Sequence, residues 1–313
     1  MNITITGGAG FIGSNLCRRL QQESAIGRVT VIDDLSSGFA ENLNGVDVDF
    51  IKGSILDLKD LERATRNADA IIHLAAVGSV PRSIDNPLAT HEANNTGTLR
   101  VLEAARHRQV RIVMASSSSV YGANPAMPKS ETLQCLPMSP YAVSKLAGEN
   151  YAMAYSRCYD LKVLPFRFFN VFGPRQMPGH AYAAVVPVFL QAALTGKALP
   201  VNGDGEQSRD FTFVGTVAET LTQAVLREVS SSPTNLAFGT RTTLNELIRL
   251  IEDIVGHPLR VTHNPQRPGD VQHSQADNSA LRALFPNISP VPLEDGLRQT
   301  AGWLKHHLSV SSR

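Results

Sequence analysis

Apolar and polar residues alternate along Asn2-Ile3-Thr4-Ile5-Thr6, the period of two that a strand requires, and the spacing then turns helical through Leu16 and Leu20. The switch recurs. Val29-Thr30-Val31-Ile32 reads as a second strand, and Ile71-Ile72-His73-Leu74-Ala75-Ala76 as an apolar strand that runs into small residues. Helices are predicted over 94–106 and 141–155, the latter with Pro140 just before it as a start signal. Its alanines at 142, 147, 152 and 154 suit close packing against another helix, within the chain or across a dimer seam. Strands alternating with helices imply an α/β fold with a doubly wound parallel sheet.

Beyond Arg167 the chain is broken by Gly173-Pro174-Arg175, Pro178-Gly179, Pro187 and Pro200. Ser208-Arg209-Asp210-Phe211-Thr212-Phe213-Val214 reads as a strand expected to rejoin the first domain. A helix over 217–228 and a strand at Asn235-Leu236-Ala237-Phe238-Gly239 follow. An amphipathic helix over 244–255 is apolar at 244, 247, 248, 251, 254 and 255. A last helix over 297–308 packs on the second domain and carries no chemistry. The division expected is 1–168 plus about 209–240 for one domain, and about 169–208 plus 241–313 for a smaller, discontinuous α/β one, with ligands between them.

The composition narrows the function classes. The 313 residues are 42% hydrophobic and 18% charged, enough for a substantial core and about two domains. A formal charge of +1 gives no overall field for nucleic acid or an anionic membrane, so an anionic ligand has to be held by local arginines. Met1 leads straight into the first strand with no signal sequence ahead of it, and no apolar run approaches the length of a membrane span. Cys17, Cys135 and Cys158 are scattered and lack metal-ligand spacing, so no metal is expected. Cys17, inside the first helix, reads as a small core residue. These features describe a reduced, cytoplasmic protein.

Gly7-Gly8-Ala9-Gly10-Phe11-Ile12-Gly13 lies between the first strand and its helix, where a glycine-rich turn can cradle the pyrophosphate of a dinucleotide. Gly7 makes the turn, Gly10 lets backbone N–H groups approach the phosphates, and Gly13 lets helix and strand pack closely. Asp33, at the end of the second strand and twenty residues after Gly13, suits the adenine-ribose hydroxyls and repels a 2′-phosphate, which favours NAD over NADP. Asp34 reads equally as a turn or cap residue, and His73 as structural. The small residues after Leu74, Ala75 and Ala76, leave room beside the cofactor. Tyr141 and Lys145, four apart, share a helix face, and the ammonium favours the phenolate of a tyrosine acting as base. A hydroxyl from a separate strand end, within Ser117-Ser118-Ser119-Val120-Tyr121, completes a site for proton and hydride removal from a secondary alcohol.

Taken together, these residues resemble the extended short-chain dehydrogenase/reductase family, in its nucleotide-sugar-modifying branch. The resemblance runs from Gly7 to about Asp277 and implies a Rossmann-type fold. Within the branch the chain is similar to UDP-hexose 4-epimerases. Gly78-Ser79-Val80-Pro81-Arg82-Ser83, Tyr182-Ala183-Ala184-Val185-Val186-Pro187 and Arg267-Pro268-Gly269-Asp270 resemble epimerases that accept UDP-N-acetylhexosamines. The resemblance implies Ser117, Tyr141 and Lys145 as the catalytic group, with Lys145 holding the nicotinamide ribose and lowering the tyrosine's pKa. Asn94 falls on the cofactor side, and Asn170 on the sugar nucleotide. Arg209 and Arg267 match two arginines that grip the diphosphate, a task suited to a planar guanidinium. Asp270 lies near the uridine ribose, and Ser79, Ser118 and Val186 belong to the substrate side. The resemblance also implies a homodimer through a bundle of the 94–106 and 141–155 helices. Two positions depart from the family pattern. Gly53-Ser54-Ile55 has a serine where an acidic residue often reaches the adenine, and Pro200-Val201-Asn202-Gly203 lacks the aromatic that often packs on uridine.

The reaction follows from what stands beside Ser117. The related 4,6-dehydratases carry Asp-Glu at the positions of Ser118 and Ser119, and uronic-acid decarboxylases a glutamate at the second. Neither serine does carboxylate work, which leaves oxidation and re-reduction at C4, a 4-epimerisation through a 4-keto sugar with retained NAD. Ser274 aligns with a gate residue whose bulk restricts related enzymes to glucose and galactose. Serine there implies room for an N-acetyl group, and hence UDP-GlcNAc/UDP-GalNAc alongside UDP-Glc/UDP-Gal. A UDP-uronic acid 4-epimerase, with Arg82 taking the carboxylate, a nucleotide-sugar dehydratase or decarboxylase, and a non-enzymatic NAD-binding sensor are the alternatives.

Overall fold

The computed structural model describes residues 1–178, 184–265 and 272–311. Strand β1 (Asn2–Thr6) passes through the glycine turn into helix Phe11–Leu20 and returns as β2 (Arg28–Asp33). β3 (Asp49–Lys52), β4 (Ala70–His73), β5 (Arg111–Ser117) and β6 (Val163–Phe168) follow. Strand Thr234–Leu236 completes a seven-stranded sheet in the order Thr234–Leu236, β6, β5, β4, β1, β2, β3. All its pairings are parallel, so both faces need helical cover. That explains why the polar half of β1 is buried with the apolar half: Thr4 donates to Ala64 O (2.7 Å), and Thr6 bonds His73 Nδ1 (2.7 Å). The strand order reverses between β1 and β4, and a doubly wound sheet opens its ligand crevice there, at the carboxyl ends.

Two helices frame that crevice. The helix predicted over 94–106 is α-helical from Gly97 to Arg108 and is entered through one π turn, Glu92–Thr96. The second runs Pro140–Tyr159, capped by Ser139 Oγ, which accepts the Ala142 N–H (3.1 Å), and ended by Asp160 in the left-handed region at φ 56°. Such a cap satisfies a backbone donor that the first turn leaves orphaned.

The segment 208–214 departs from expectation. Its strand does not join the main sheet but divides into two short ones: Ser208–Arg209 pairs antiparallel with Thr242–Thr243, and Phe211–Phe213 parallel with Asn170–Phe172. Asp210 marks the break. It is fully buried and accepts from Gly239 N (3.0 Å), Thr240 Oγ1 (2.9 Å) and Ala276 N (3.0 Å), so side-chain bonding takes the place of ladder pairing. The return to the sheet is made by helix Val214–Leu226, packed on Phe11–Leu20, and by Thr234–Leu236.

Phe172, Phe189, Leu190, Phe211, Phe213, Leu247, Ile251, Leu297 and Leu304 form a second core, distinct from the one around the sheet. Helix Leu244–Val255 has the predicted bounds, and the last helix, Leu293–Ser311, is longer than expected at both ends. Leu281, Phe285 and Ile288 pack into the first core, Phe285 against Phe166 (ring centroids 6.0 Å apart). Among the described residues no helix is long and apolar enough to cross a membrane.

Candidate active site

A cavity of about 850 Å³ opens at the carboxyl ends of the strands. Gly7, Gly10, Phe11, Ile12 and Gly13 form one wall, Asp33, Ser54 and Ile55 the next, and Leu74, Ala75 and Ala76 a third. Ser79, Ser117, Tyr141 and Lys145 line it from the other side. The glycine turn is tight enough to exclude other residues. Gly7 has φ +73°, and a Cβ there would meet Ala75 N at 2.7 Å; one at Gly13 would meet Gly7 O at 2.4 Å. The start of helix Phe11–Leu20 has no side-chain cap and turns its first N–H groups to this wall, so the residues present fit a dinucleotide's pyrophosphate. Asp33 is buried and already accepts from Ala9 N and Leu35 N (both 2.9 Å), leaving further lone pairs for a ribose. Burial pushes its carboxyl up, against the pull of those two bonds.

The side chains expected to be catalytic converge from two elements. Ser117 ends β5 and caps the 3₁₀ turn Ser118–Tyr121; its Oγ accepts from Ser119 N (3.2 Å) and Ser119 Oγ (2.8 Å). With both lone pairs so occupied, the hydroxyl proton is free to point at Tyr141, whose phenol Ser117 pulls down. Burial raises the Tyr141 phenol above its ordinary value, and the Ser117 bond opposes that rise. Lys145 stands beside this tyrosine on the cavity wall. Its Nζ lies 6.0 Å from the tyrosine ring centroid and donates to Ala115 O (3.0 Å). Burial lowers the Lys145 ammonium itself to about 8, while the Glu149 carboxylate, one turn along the helix, raises it. His73 is structural as expected, bonded to Thr6 and to Thr98 Oγ1 (2.9 Å), and burial with the nearby Lys145 pushes it down to about 3.

Other predicted residues lie away from this wall. Asn94 is buried and fully used within the protein: Oδ1 accepts Val77 N (2.7 Å), and Nδ2 donates to Val77 O (3.2 Å) and Ser144 Oγ (2.9 Å). It ties the Val77–Ser79 loop to the Tyr141 helix. Val186 and Val201 belong to the second core, and the Asn202 carbonyl accepts from Gln207 Nε2 (2.6 Å). Ser118 is partly buried beside Ser117, outside the cavity wall. Asn170, Arg209 and Ser274 are drawn together through the backbone: Asn170 N donates to Asp210 O (3.1 Å) and Ser274 N to Ser208 O (3.1 Å). Arg209 donates to Ser208 O (2.9 Å) and Gln272 O (3.3 Å). Tyr182, Ala183, Arg267 and Asp270 lie outside the described residues.

Three residues on or behind the wall escaped the sequence reading. Ser119 orients Ser117. Glu149 lies under Lys145. Arg175, in a loop legible only as Gly/Pro punctuation, lines the cavity and donates to Asn15 Oδ1 (3.2 Å); burial and neighbouring Arg18 lower it to about 10.

A dinucleotide-shaped crevice on a doubly wound sheet, with serine, tyrosine and lysine at its inner end, defines a nicotinamide-dependent enzyme. Residues 3–237 match the model of the NAD dependent epimerase/dehydratase family, and the chain belongs to that family, with NAD as its cofactor. It is 39% identical to the UDP-glucose 4-epimerase of Mycolicibacterium smegmatis, over 98% of this chain and 99% of the relative. It superposes with a TM-score of 0.92 on the UDP-N-acetylglucosamine 4-epimerase of Methanobrevibacter ruminantium in complex with UDP-N-acetylmuramic acid (38% identity, 98% of each chain). The Thermus thermophilus UDP-glucose 4-epimerase in complex with NAD gives 0.89 (34% identity, 97% of this chain and 99% of the other).

Proposed function

We propose that this enzyme interconverts C4 epimers of UDP-hexoses, with UDP-GlcNAc/UDP-GalNAc as one pair and UDP-Glc/UDP-Gal as another. The observation that carries the reading is the convergence of Ser117, Tyr141 and Lys145 with serines, and no carboxylate, at 118 and 119. Tyr141 takes the proton of the sugar's 4-hydroxyl while Ser117, turned outward by Ser119, bonds the same oxygen. When bound, NAD supplies the acceptor and then the donor of the C4 hydride. Arg209 and Arg267 hold the diphosphate while the 4-keto sugar turns over to present the opposite face of C4, and Tyr141 returns the proton to the 4-oxygen. Ser274 supports the N-acetylated substrates as an open gate, beside Asn170. A second reading, a UDP-uronic acid substrate, is favoured by Arg82, an exposed arginine in the cavity wall able to pair with a C6 carboxylate.

The same reading assigns 1–168 plus about 209–240 to cofactor binding and 169–208 plus 241–313 to substrate binding, with the 281–288 segment docked on the cofactor unit. The three unpaired thiols suit the reducing cytoplasm. A homodimer is supported by apolar side chains left exposed on three adjacent helices: Ile84 on Val80–Asp85, Leu88 on Pro87–His91, and Val143 and Tyr151 on Pro140–Tyr159. The seam thus uses the 80–91 helices with the Tyr141 helix.

The test is incubation of the purified protein, with no NAD added, with UDP-GlcNAc, UDP-Glc and UDP-GlcA separately, followed by NMR. UDP-GalNAc formation supports the reading and the retained cofactor. Turnover of UDP-Glc alone overturns the gate assignment, and turnover of UDP-GlcA alone selects the uronic reading.

A further inference from the structure

Behind the catalytic wall lies a charged pair that the reaction as derived does not use. Glu149 and Arg167 are 1% and 5% exposed, and Arg167 grips the carboxylate with both arms of its fork, Nε to Oε1 (3.0 Å) and Nη2 to Oε2 (2.8 Å). Glu149 Oε1 also accepts from the hydroxyl of Ser116, the residue before Ser117. The remaining arm of Arg167 donates to the Tyr121 hydroxyl (3.0 Å), which closes the turn begun by Ser117 and donates in turn to Asn235 Oδ1 (2.6 Å). One carboxylate therefore bonds the strand end that carries Ser117, the neighbouring strand β6 through Arg167, and the helix that carries Tyr141 and Lys145.

We propose that Glu149 and Arg167 are positioning residues for the reaction, clamping the Ser117 turn to the Tyr141–Lys145 helix and setting the charge beneath Lys145. This rests on the assignment of Ser117, Tyr141 and Lys145 as the catalytic group. A buried ion pair costs desolvation that apolar residues would avoid, so a merely structural clamp gains little from being ionic. The charge has a second recipient here. Glu149 sits four residues after Lys145 on the same helix face and favours its protonated form, against the burial that disfavours it. The other titratable groups facing Lys145 are Tyr141 on its own helix and His73 from β4, and His73 stays neutral above pH 3. Arg167 lies on the far side of the carboxylate and is not among the groups acting on Lys145.

The test is the pH dependence of turnover in Glu149→Gln and in the charge-neutral pair Glu149→Gln/Arg167→Met, the second because the single variant strands a buried guanidinium. Both are expected to lose kcat with little change in KM, and to move the alkaline limb of the kcat profile toward lower pH by about one unit. Titration of Lys145 by ¹⁵Nζ NMR reads the same shift without turnover. It therefore separates failure of this proposal from failure of the assigned substrate. A folded double variant whose kcat limb and Lys145 titration coincide with those of the unmodified protein overturns the proposal. A uniform fall in kcat at every pH, with Lys145 unmoved, overturns it equally and leaves a clamp without a charge role.

Discussion

The proposed chemistry turns on Tyr141, and the surroundings of this residue separate two effects. Burial holds the phenol protonated, and the Ser117 hydrogen bond works against this. Removing the hydroxyl deletes proton transfer and leaves the glycine wall untouched. Tyr141→Phe is expected to lower kcat by about 10²–10⁴-fold, the usual worth of a placed general base, while the purified variant retains NAD as judged by absorbance and extraction. Turnover within threefold of normal would sink the assigned role. Ser117, Tyr141 and Lys145 were legible because their spacing on strand end and helix is local. Glu149 was not, because what it does depends on partners 33 and 18 residues away along the chain. The same limit applies to Val186 and Val201, whose neighbours in the second core are set by tertiary packing.

Among elements, β1, β2, β4 and the strand Thr234–Leu236 were legible from apolar positions bounded by turn residues. The segment 208–214 misled because Phe211 and Phe213 alternate as in a strand, while Asp210 just before them is held by three long-range bonds that no local pattern announces. β4 carries a measurable consequence of its burial. His73 joins it to Thr6 of β1 and to Thr98 of helix Gly97–Arg108, and it is held neutral in the fold down to about pH 3. The unfolded chain takes up that proton at about 6.5, so it binds more protons than the fold between these values, and stability falls as pH drops through that window. From pH 7 to pH 5 the loss from this residue is about 2 kcal/mol. His73→Gln keeps groups able to bond both threonines and removes the titration. Its urea midpoint is therefore expected to fall less between pH 7 and pH 5 than that of the unmodified protein. Equal falls in the two proteins would show that His73 is not held neutral.

At the scale of the whole molecule, the sheet, the glycine crevice and the cofactor were legible in the first half of the chain, where motif and periodicity reinforce each other. The seam proposed here differs in composition from the one expected. The alanines of the Tyr141 helix pointed to close packing, yet much of that packing is internal, with Ala142 and Ala152 buried. The apolar residues left over are Ile84 and Leu88 from two short helices, which lack enough turns to display a periodicity of their own. Leu88 is 78% exposed, and a second copy related by a twofold axis would bury it on both sides of the seam. Burying one leucine is worth about 2 kcal/mol, and a twofold interface counts it twice. Leu88→Glu is therefore expected to weaken association about a thousandfold. Sedimentation equilibrium at micromolar concentration should give the mass of two copies for the unmodified protein and of one for the variant. Because Leu88 is not among the residues that line the cavity, bound NAD should be retained. A single-copy mass for the unmodified protein would refute the dimer, whereas two copies for both proteins would move the seam off this face.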